Sequence, residues 1–163
     1  MKEFQNFLLE SLNSPYEWDF VIQQSDEWFA MFHDSNKMWF GVSFLLFVDM
    51  YAKSKIVKNW MVAFGNDPDS DGSYDKFDMQ ISNTGLGDSQ RVLSTVMDIV
   101  MTFVKLVKPQ NFSFTGHNQD GHAKLYTIML KKYKLDFNRL GYKIEDPAPY
   151  FSGATKFLIT RER

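Results

Sequence analysis

A chain of 163 residues with 44% apolar and 23% charged side chains is long enough to bury a core in one domain, and its composition excludes global disorder. The net charge of −2 and the isoelectric point near 5.9 exclude an overall basic field of the kind that drives non-specific nucleic-acid binding. With no cysteine there is no disulfide framework, no thiolate zinc site and no cysteine nucleophile.

Aromatic residues make up 17% of the chain, and they concentrate in residues 16–64. Such rings fill the space between a sheet and its covering layer. At the start, KEFQNFLLESL (residues 2–12) sets Phe4, Phe7, Leu8 and Leu12 at helical spacing, and Asn13-Ser14-Pro15 stops that short amphipathic helix. Met1–Glu10 carries charge at both ends and no long apolar centre, so it does not read as a secretory signal. Residues 1–14 are therefore taken as a helical or targeting-like segment, and residues 15–163 as a single domain. Glu17–Gln23, Glu27–His33 and Lys37–Val48 follow as strands of an antiparallel meander, separated by the polar turns Ser25-Asp26 and Asp34-Ser35-Asn36. The longest apolar run, Trp39 to Val48, is about half the length that spans a bilayer, and it reads as a buried strand. Ala52–Lys58 reads as a charged connection, Asn59–Phe64 as a strand, Asn66–Tyr74 as an acidic turn and Lys76–Ser82 as a further alternating strand.

The period then changes. From Ser89 to Lys108 the residues Val92, Leu93, Val96, Ile99, Val100, Phe103, Val104 and Val107 follow the 3.6 rhythm, with Met97, Met101 and Leu106 widening the apolar face. Lys108-Pro109 ends this helix and Asn111–Thr115 alternates as a short strand. Gly121–Lys134 is expected as one helix with Leu125, Ile128, Met129 and Tyr133 inward, and Gly141–Ile144 and Thr155–Thr160 close the chain as strands. The expected class is α+β (mixed α/β): a mostly antiparallel sheet with helices packed on it, and one parallel strand–helix–strand crossover running from Phe77 to Thr115.

This order over residues 59–160 resembles the GNAT-type N-acetyltransferase superfamily. In that family a strand ends in a turn [QR]-x-x-G-x-[GA], whose backbone N–H groups hold the coenzyme A pyrophosphate at the start of a long helix. Ser82-Asn83-Thr84-Gly85-Leu86-Gly87 matches both small residues and carries Ser82 at the Gln/Arg position. The resemblance therefore implies a cofactor site at Gly85, Leu86, Gly87 and Asp88, with Arg91 one turn along, and acetyl-coenzyme A as the cofactor. A second family signature, N-x-x-A-x-x-L-Y then G-[FY], has its counterpart in Asn118, Ala123-Lys124-Leu125-Tyr126 and Gly141-Tyr142, with longer spacings. It implies Tyr126 as the general acid for the leaving thiolate. The complementary base would be a carboxylate or histidine on a strand, for which Glu27, His33 and Asp78 are the candidates.

Asp88 bears on that activity. A carboxylate in the first helical turn already satisfies free N–H groups and the positive dipole end. A pyrophosphate about 5 Å away would be repelled by about 3 kcal/mol at an effective dielectric near 20. The expectation is thus a GNAT-like protein without efficient catalysis, acting through protein contacts; the rival is an acetyl-coenzyme A-dependent N-acyltransferase.

The opening segment carries a further resemblance, to the capsid-targeting peptides of large tailed phages that are cut after [LI]-x-E, here Leu8-Leu9-Glu10. It implies a bacteriophage protein, virion-associated or directed at a host protein, located in the virion or the bacterial cytoplasm, with no membrane partner. Nucleic acid is a lesser expectation, through Lys124, Lys131, Lys132 and Lys134 on one helix. The turn DPDSDGSYDKFD offers Asp67, Asp69, Asp71, Asp75 and Asp78 at calcium-loop spacing, but its flanks read as strands and a solvated hairpin is the favoured reading. His117 and His122 lie five apart and make a poor zinc pair.

Overall fold

The computed structural model describes residues 14–51, 55–67, 89–118, 122–150 and 153–162. Among them eight strands and three helices alternate in the order β1 (Asp19–Gln23), β2 (Glu27–His33), β3 (Trp39–Tyr51), β4 (Lys55–Asp67), α1 (Ser89–Val107), β5 (Asn111–His117), α2 (His122–Lys132), α3 (Lys134–Arg139), β6 (Tyr142–Ile144), β7 (Ala148–Pro149) and β8 (Ala154–Arg161). The strands form one sheet in the order β1-β2-β3-β4-β5-β8-β6, and β7 pairs with β8 off that path. The class is therefore mixed α+β, with a mostly antiparallel sheet and one parallel pair, β4 with β5. No helix among the described residues is long and apolar enough to cross a membrane.

The chain divides into two compact units, one drawn from Met1–Gln24, Trp28–Ser43 and Phe64–Thr102 and the other from Ser25–Glu27, Phe44–Ala63 and Phe103–Arg163. In the first, α1 holds the extended segment before β1 along a single stripe. Residues 91, 95 and 98 lie at i, i+4 and i+7, one above another on the helix. The Arg91 Nε–H donates to the Ser14 carbonyl at 2.9 Å, and its guanidinium lies 3.9 Å from the centre of the Tyr16 ring. The Tyr16 N–H donates to Thr95 Oγ1 at 2.8 Å, while that hydroxyl donates to the Arg91 carbonyl at 2.7 Å, so both lone pair and proton of a fully buried hydroxyl are used. The Trp18 indole N–H reaches Asp98 Oδ2 at 2.8 Å. Between β2 and β3, Asp34 Oδ1 accepts from the N–H groups of Asn36 and Met38 at 2.9 and 2.8 Å, which replaces ladder bonds through the turn and leaves Lys37 at φ 62°. Tyr16, Phe32 and Phe40 stack in series beneath it.

The second unit has its own aromatic core. Phe103 of α1 stacks on Phe44 with centroids 3.9 Å apart and meets Trp60 edge-on at 5.1 Å. Phe112 touches Phe137 of α3 and Tyr142 of β6, and Phe114 touches Tyr126 of α2. After α3, Gly141 takes φ 90°, a left-handed value that stops the helix and turns the chain into β6.

Several expectations change. β4 begins at Lys55, inside the segment read as a connection, because Lys55-Ile56-Val57-Lys58 hides two β-branched residues between charges. Among the described residues the parallel neighbour of β5 is β4, with Trp60↔Phe112 and Val62↔Phe114, and β8 pairs with β5 on its other edge; the segment 76–82, expected as that parallel neighbour, lies outside the described residues. The helix expected over Gly121–Lys134 is α2, His122–Lys132, and a short helix that was not foreseen, α3, follows it after Tyr133. The inward stripe of α2 is Tyr126, Met129 and Leu130, while Ile128 faces out at 58% exposure. Leu106 likewise faces solvent at 61%, since α1 needs only one apolar face. β7 was not foreseen: it holds two residues, one of them Pro149, on an edge that needs no donor there.

Candidate functional site

The pieces of a site come from strand alternation, which sends neighbouring residues to opposite faces. In the second unit Trp60, Phe112, Phe114, Phe157 and Ile159 point to the helices and are buried. Asn59, Met61, Ser113, Thr115 and Lys156 must then point the other way. There, joined by Phe47 and Tyr150, they line a hollow of about 80 Å³. The β5–β8 register sets Thr115 opposite Lys156. β7 pairs Ala148 with Lys156, and the Tyr150 N–H donates to the Ala154 carbonyl at 3.2 Å. This short hairpin brings the Tyr150 ring within 5.1 Å of the Lys156 ammonium, in cation–π range.

One residue of this lining carries a buried polar atom that the fold leaves unmatched. Asn59 is 5% exposed, and its Nδ2 donates to Ser113 Oγ at 3.3 Å. Its Oδ1 is buried without a hydrogen-bond partner. A lone buried carbonyl costs about 1–3 kcal/mol.

A second hollow, of about 160 Å³, lies among Val104, Lys105, Lys108, Leu140, Tyr142 and Arg161. The Tyr142 hydroxyl donates to the Pro109 carbonyl at 2.7 Å. Burial raises the pKa of that hydroxyl, and the nearby Arg161 charge works in the opposite direction.

The residues singled out in the sequence fall as follows. Tyr126 sits on α2, 5% exposed, with its ring 5.2 Å from Phe114 and 6.0 Å from Phe157; burial pushes its hydroxyl well above the ordinary tyrosine range. Burial holds that proton more tightly than in an ordinary tyrosine, which makes the hydroxyl a weaker acid. Arg91 is engaged with Ser14 and Tyr16. Gly85, Leu86, Gly87 and Asp88 lie outside the described residues, as do Asp69, Asp71, Asp75 and Asp78; Asp67 is the last residue of β4. The His33 Nδ1–H donates to the Asp34 carbonyl at 3.0 Å and its ring packs on Trp39. Lys124, Lys131, Lys132 and Lys134 are all exposed, with Lys132 near the Tyr133 ring. Asn118 Oδ1 accepts from the Thr155 hydroxyl at 2.8 Å and its N–H donates to the Gly153 carbonyl, so it ties the end of β5 to the start of β8.

Asn59, Ser113, Thr115 and Lys156 were not expected at a site. The signal was present: Asn is disfavoured in strands, and Asn59 heads the run NWMVAF, while Ser113 interrupts FSF at the alternate position.

No curated protein matches the chain. Residues 46–161, from within β3 to the end of β8 and thus including both hollows, match a family described as a family of unknown function, DUF6934, and the chain belongs to that family.

Proposed function

We propose that the chain is a GNAT-like domain that takes an acyl thioester of coenzyme A between β4 and β5 and passes the acyl group to an amine. The observation that carries this reading is the extent of the parallel ladder. Pairing runs from Trp60↔Phe112 to Val62↔Phe114 and no further among the described residues, although β4 continues to Asp67 and β5 to His117. The family that the chain resembles opens its parallel pair at this point to admit the pantetheine arm. Ala63 and Thr115 are the next positions in register, and strand edges that do not pair with one another offer amide groups to an extended ligand, as in strand addition.

The resemblance assigns the pyrophosphate to the backbone of Gly85–Asp88. Arg91, bound to Ser14 and Tyr16, then acts chiefly as a structural clamp beside it. When bound, the thioester supplies an activated acyl carbon. The same resemblance makes Tyr126, packed against Phe114 and Phe157, the candidate to donate its proton to the departing sulfur.

A second reading is a protein-contact role, virion-associated or host-directed, without catalysis. It is favoured by one exposed large apolar side chain on each helix: Leu106, Ile128 and Leu135, at 61%, 58% and 68%. Its phage component rests on residues 1–10, outside the described residues.

Calorimetry with acetyl-coenzyme A separates the two. Binding that Gly87→Trp abolishes, while melting temperature stays unchanged, supports the acyltransferase reading. An absence of heat at millimolar ligand overturns it and leaves the protein-contact reading.

A further inference from the structure

We infer that the hollow at the end of α1 binds the phosphate group of a small phosphate monoester. Its lining joins Lys105 of α1, Lys108 of the following turn and Arg161 of β8 to the apolar Val104, Leu140 and Tyr142. All of them belong to the second unit. The inference does not depend on coenzyme A, whose pyrophosphate the resemblance assigns to the turn before α1.

Three cations from three places in the chain thus meet at one hollow. No carboxylate is in its lining, and no ion pair takes up Lys105, Lys108 or Arg161 among the described residues. Cations grouped in this way repel one another until an anion meets them. A phosphate monoester carries a charge of about −1.5 to −2 at pH 7, and a guanidinium meets its oxygens through paired N–H donors. A carboxylate or a phosphodiester brings a single charge and leaves more of the repulsion in place. Size agrees with this choice: a cavity of about 150 Å³ accepts a benzene ring, and a phosphate is the smaller body. The hollow measures about 160 Å³.

The backbone that carries these cations is held in place. The Tyr142 hydroxyl donates to the Pro109 carbonyl at 2.7 Å, the Arg161 N–H donates to the Gln110 carbonyl at 2.9 Å, and Gln110 Nε2 donates to the Arg161 carbonyl at 3.4 Å. The β6–β8 register sets Tyr142 opposite Arg161. The bonds that fix the turn bearing Lys108 therefore fix the base of Arg161 as well.

Lys108 itself departs from what the fold asks. It closes α1 at φ 51°, with its N–H donating to the Val104 carbonyl at 2.9 Å. Glycine is the usual residue at such a left-handed helix stop, because a side chain is strained there. A lysine in the last helical turn complements the negative end of the helix, which accounts for Lys105. It does not account for a lysine in the strained position, nor for an arginine brought in from the far end of the chain.

The test is calorimetry on the full chain at low ionic strength, where exposed charges are least screened. Methyl phosphate, a monoester, is set against dimethyl phosphate and acetate, which carry one charge. The expected result is that methyl phosphate binds about tenfold or more tighter than either, and that Arg161→Gln weakens it by about tenfold. Lys108→Gly is expected to weaken it by about threefold or more while raising the melting temperature, since glycine relieves the strain. A lysine kept for the fold would give a lower melting temperature on replacement. Failure of methyl phosphate to bind at millimolar concentration, equal binding by dimethyl phosphate or acetate, tighter binding by a DNA oligonucleotide without a terminal phosphate, or an affinity that both substitutions leave unchanged overturns the proposal. Coenzyme A is not in the cell, so each outcome leaves the acyltransferase reading to its own experiment.

Discussion

The two faces of β4, β5 and β8 share the same strands and differ in every residue that matters. Toward the helices stand Trp60, Phe112, Phe114, Phe157 and Ile159, buried and apolar without exception. Toward the hollow stand Asn59 and Ser113, also buried, and the half-buried Met61, Thr115 and Lys156. A sheet needs one apolar face to fold, and the helix side supplies it at about 1.5–3 kcal/mol for each large side chain fully buried. Burying an amide and a hydroxyl on the other face gains nothing of that kind and costs about 1–3 kcal/mol where a polar atom goes unmatched. The first face accounts for the fold. The second is where the sequence departs from what folding alone asks, and such departures concentrate at sites.

The sharpest way to break this contrast is to remove the ring at the centre of the first face. Phe103 is fully buried against Phe44 and Trp60, so Phe103→Ala leaves a cavity that rings cannot easily close. The expected loss is about 3–5 kcal/mol, read from urea unfolding. A loss under about 1 kcal/mol would mean that α1 is not what holds this face together. On the second face, Ser113→Ala removes the partner of Asn59 Nδ2 and leaves both polar atoms of the amide unmatched. The expected loss is smaller, about 1–3 kcal/mol.

Titration gives a third handle on the helix face. Tyr126 has its folded-state pKa raised by burial, so the native state keeps a proton that the unfolded chain releases near pH 10. Its contribution is fully present below that pH and is lost as pH rises above it, by up to about 1.4 kcal/mol per pH unit. Tyr142 is raised in the same sense and adds to the slope. Tyr126→Phe is expected to flatten the fall in melting temperature between neutral and strongly alkaline solution, and an unchanged slope would place its hydroxyl in water.

How far the sequence reveals these two faces follows from the same chemistry. Glu27–His33 is found to the residue, and α1 to within one residue, because alternation and the 3.6 rhythm are strong there and Pro109 follows. The break at Tyr133 carries no Gly or Pro, so nothing local separates α2 from α3. The parallel pairing of β4 with β5 is a long-range fact, decided by which edge β8 fills. For the sites, Tyr126 is a candidate through its motif and Arg91 through its place after the glycine turn. The hollow was not, because a period-two pattern shows which residues alternate and not that Asn59, Ser113 and Lys156, from three strands, converge.

The smallest expected effect is the most telling, because its sign differs from the rest. Asn59→Leu replaces an amide with one satisfied and one unsatisfied atom by an apolar group of similar size. Were Asn59 there for stability, its loss would cost what a buried hydrogen bond contributes, about 1 kcal/mol. On the present reading the unmatched Oδ1 is a standing cost, and the substitution is neutral or stabilises by up to about 1 kcal/mol. The Ser113 hydroxyl has then lost only a long 3.3 Å bond. Adding Ser113→Ala to Asn59→Leu should therefore cost much less than Ser113→Ala alone, since no amide remains to be orphaned. The double-mutant cycle reads this directly as a coupling of about 1 kcal/mol or more. A coupling near zero, with Asn59→Leu destabilising, would return Asn59 to the fold and remove the distinction between the two faces.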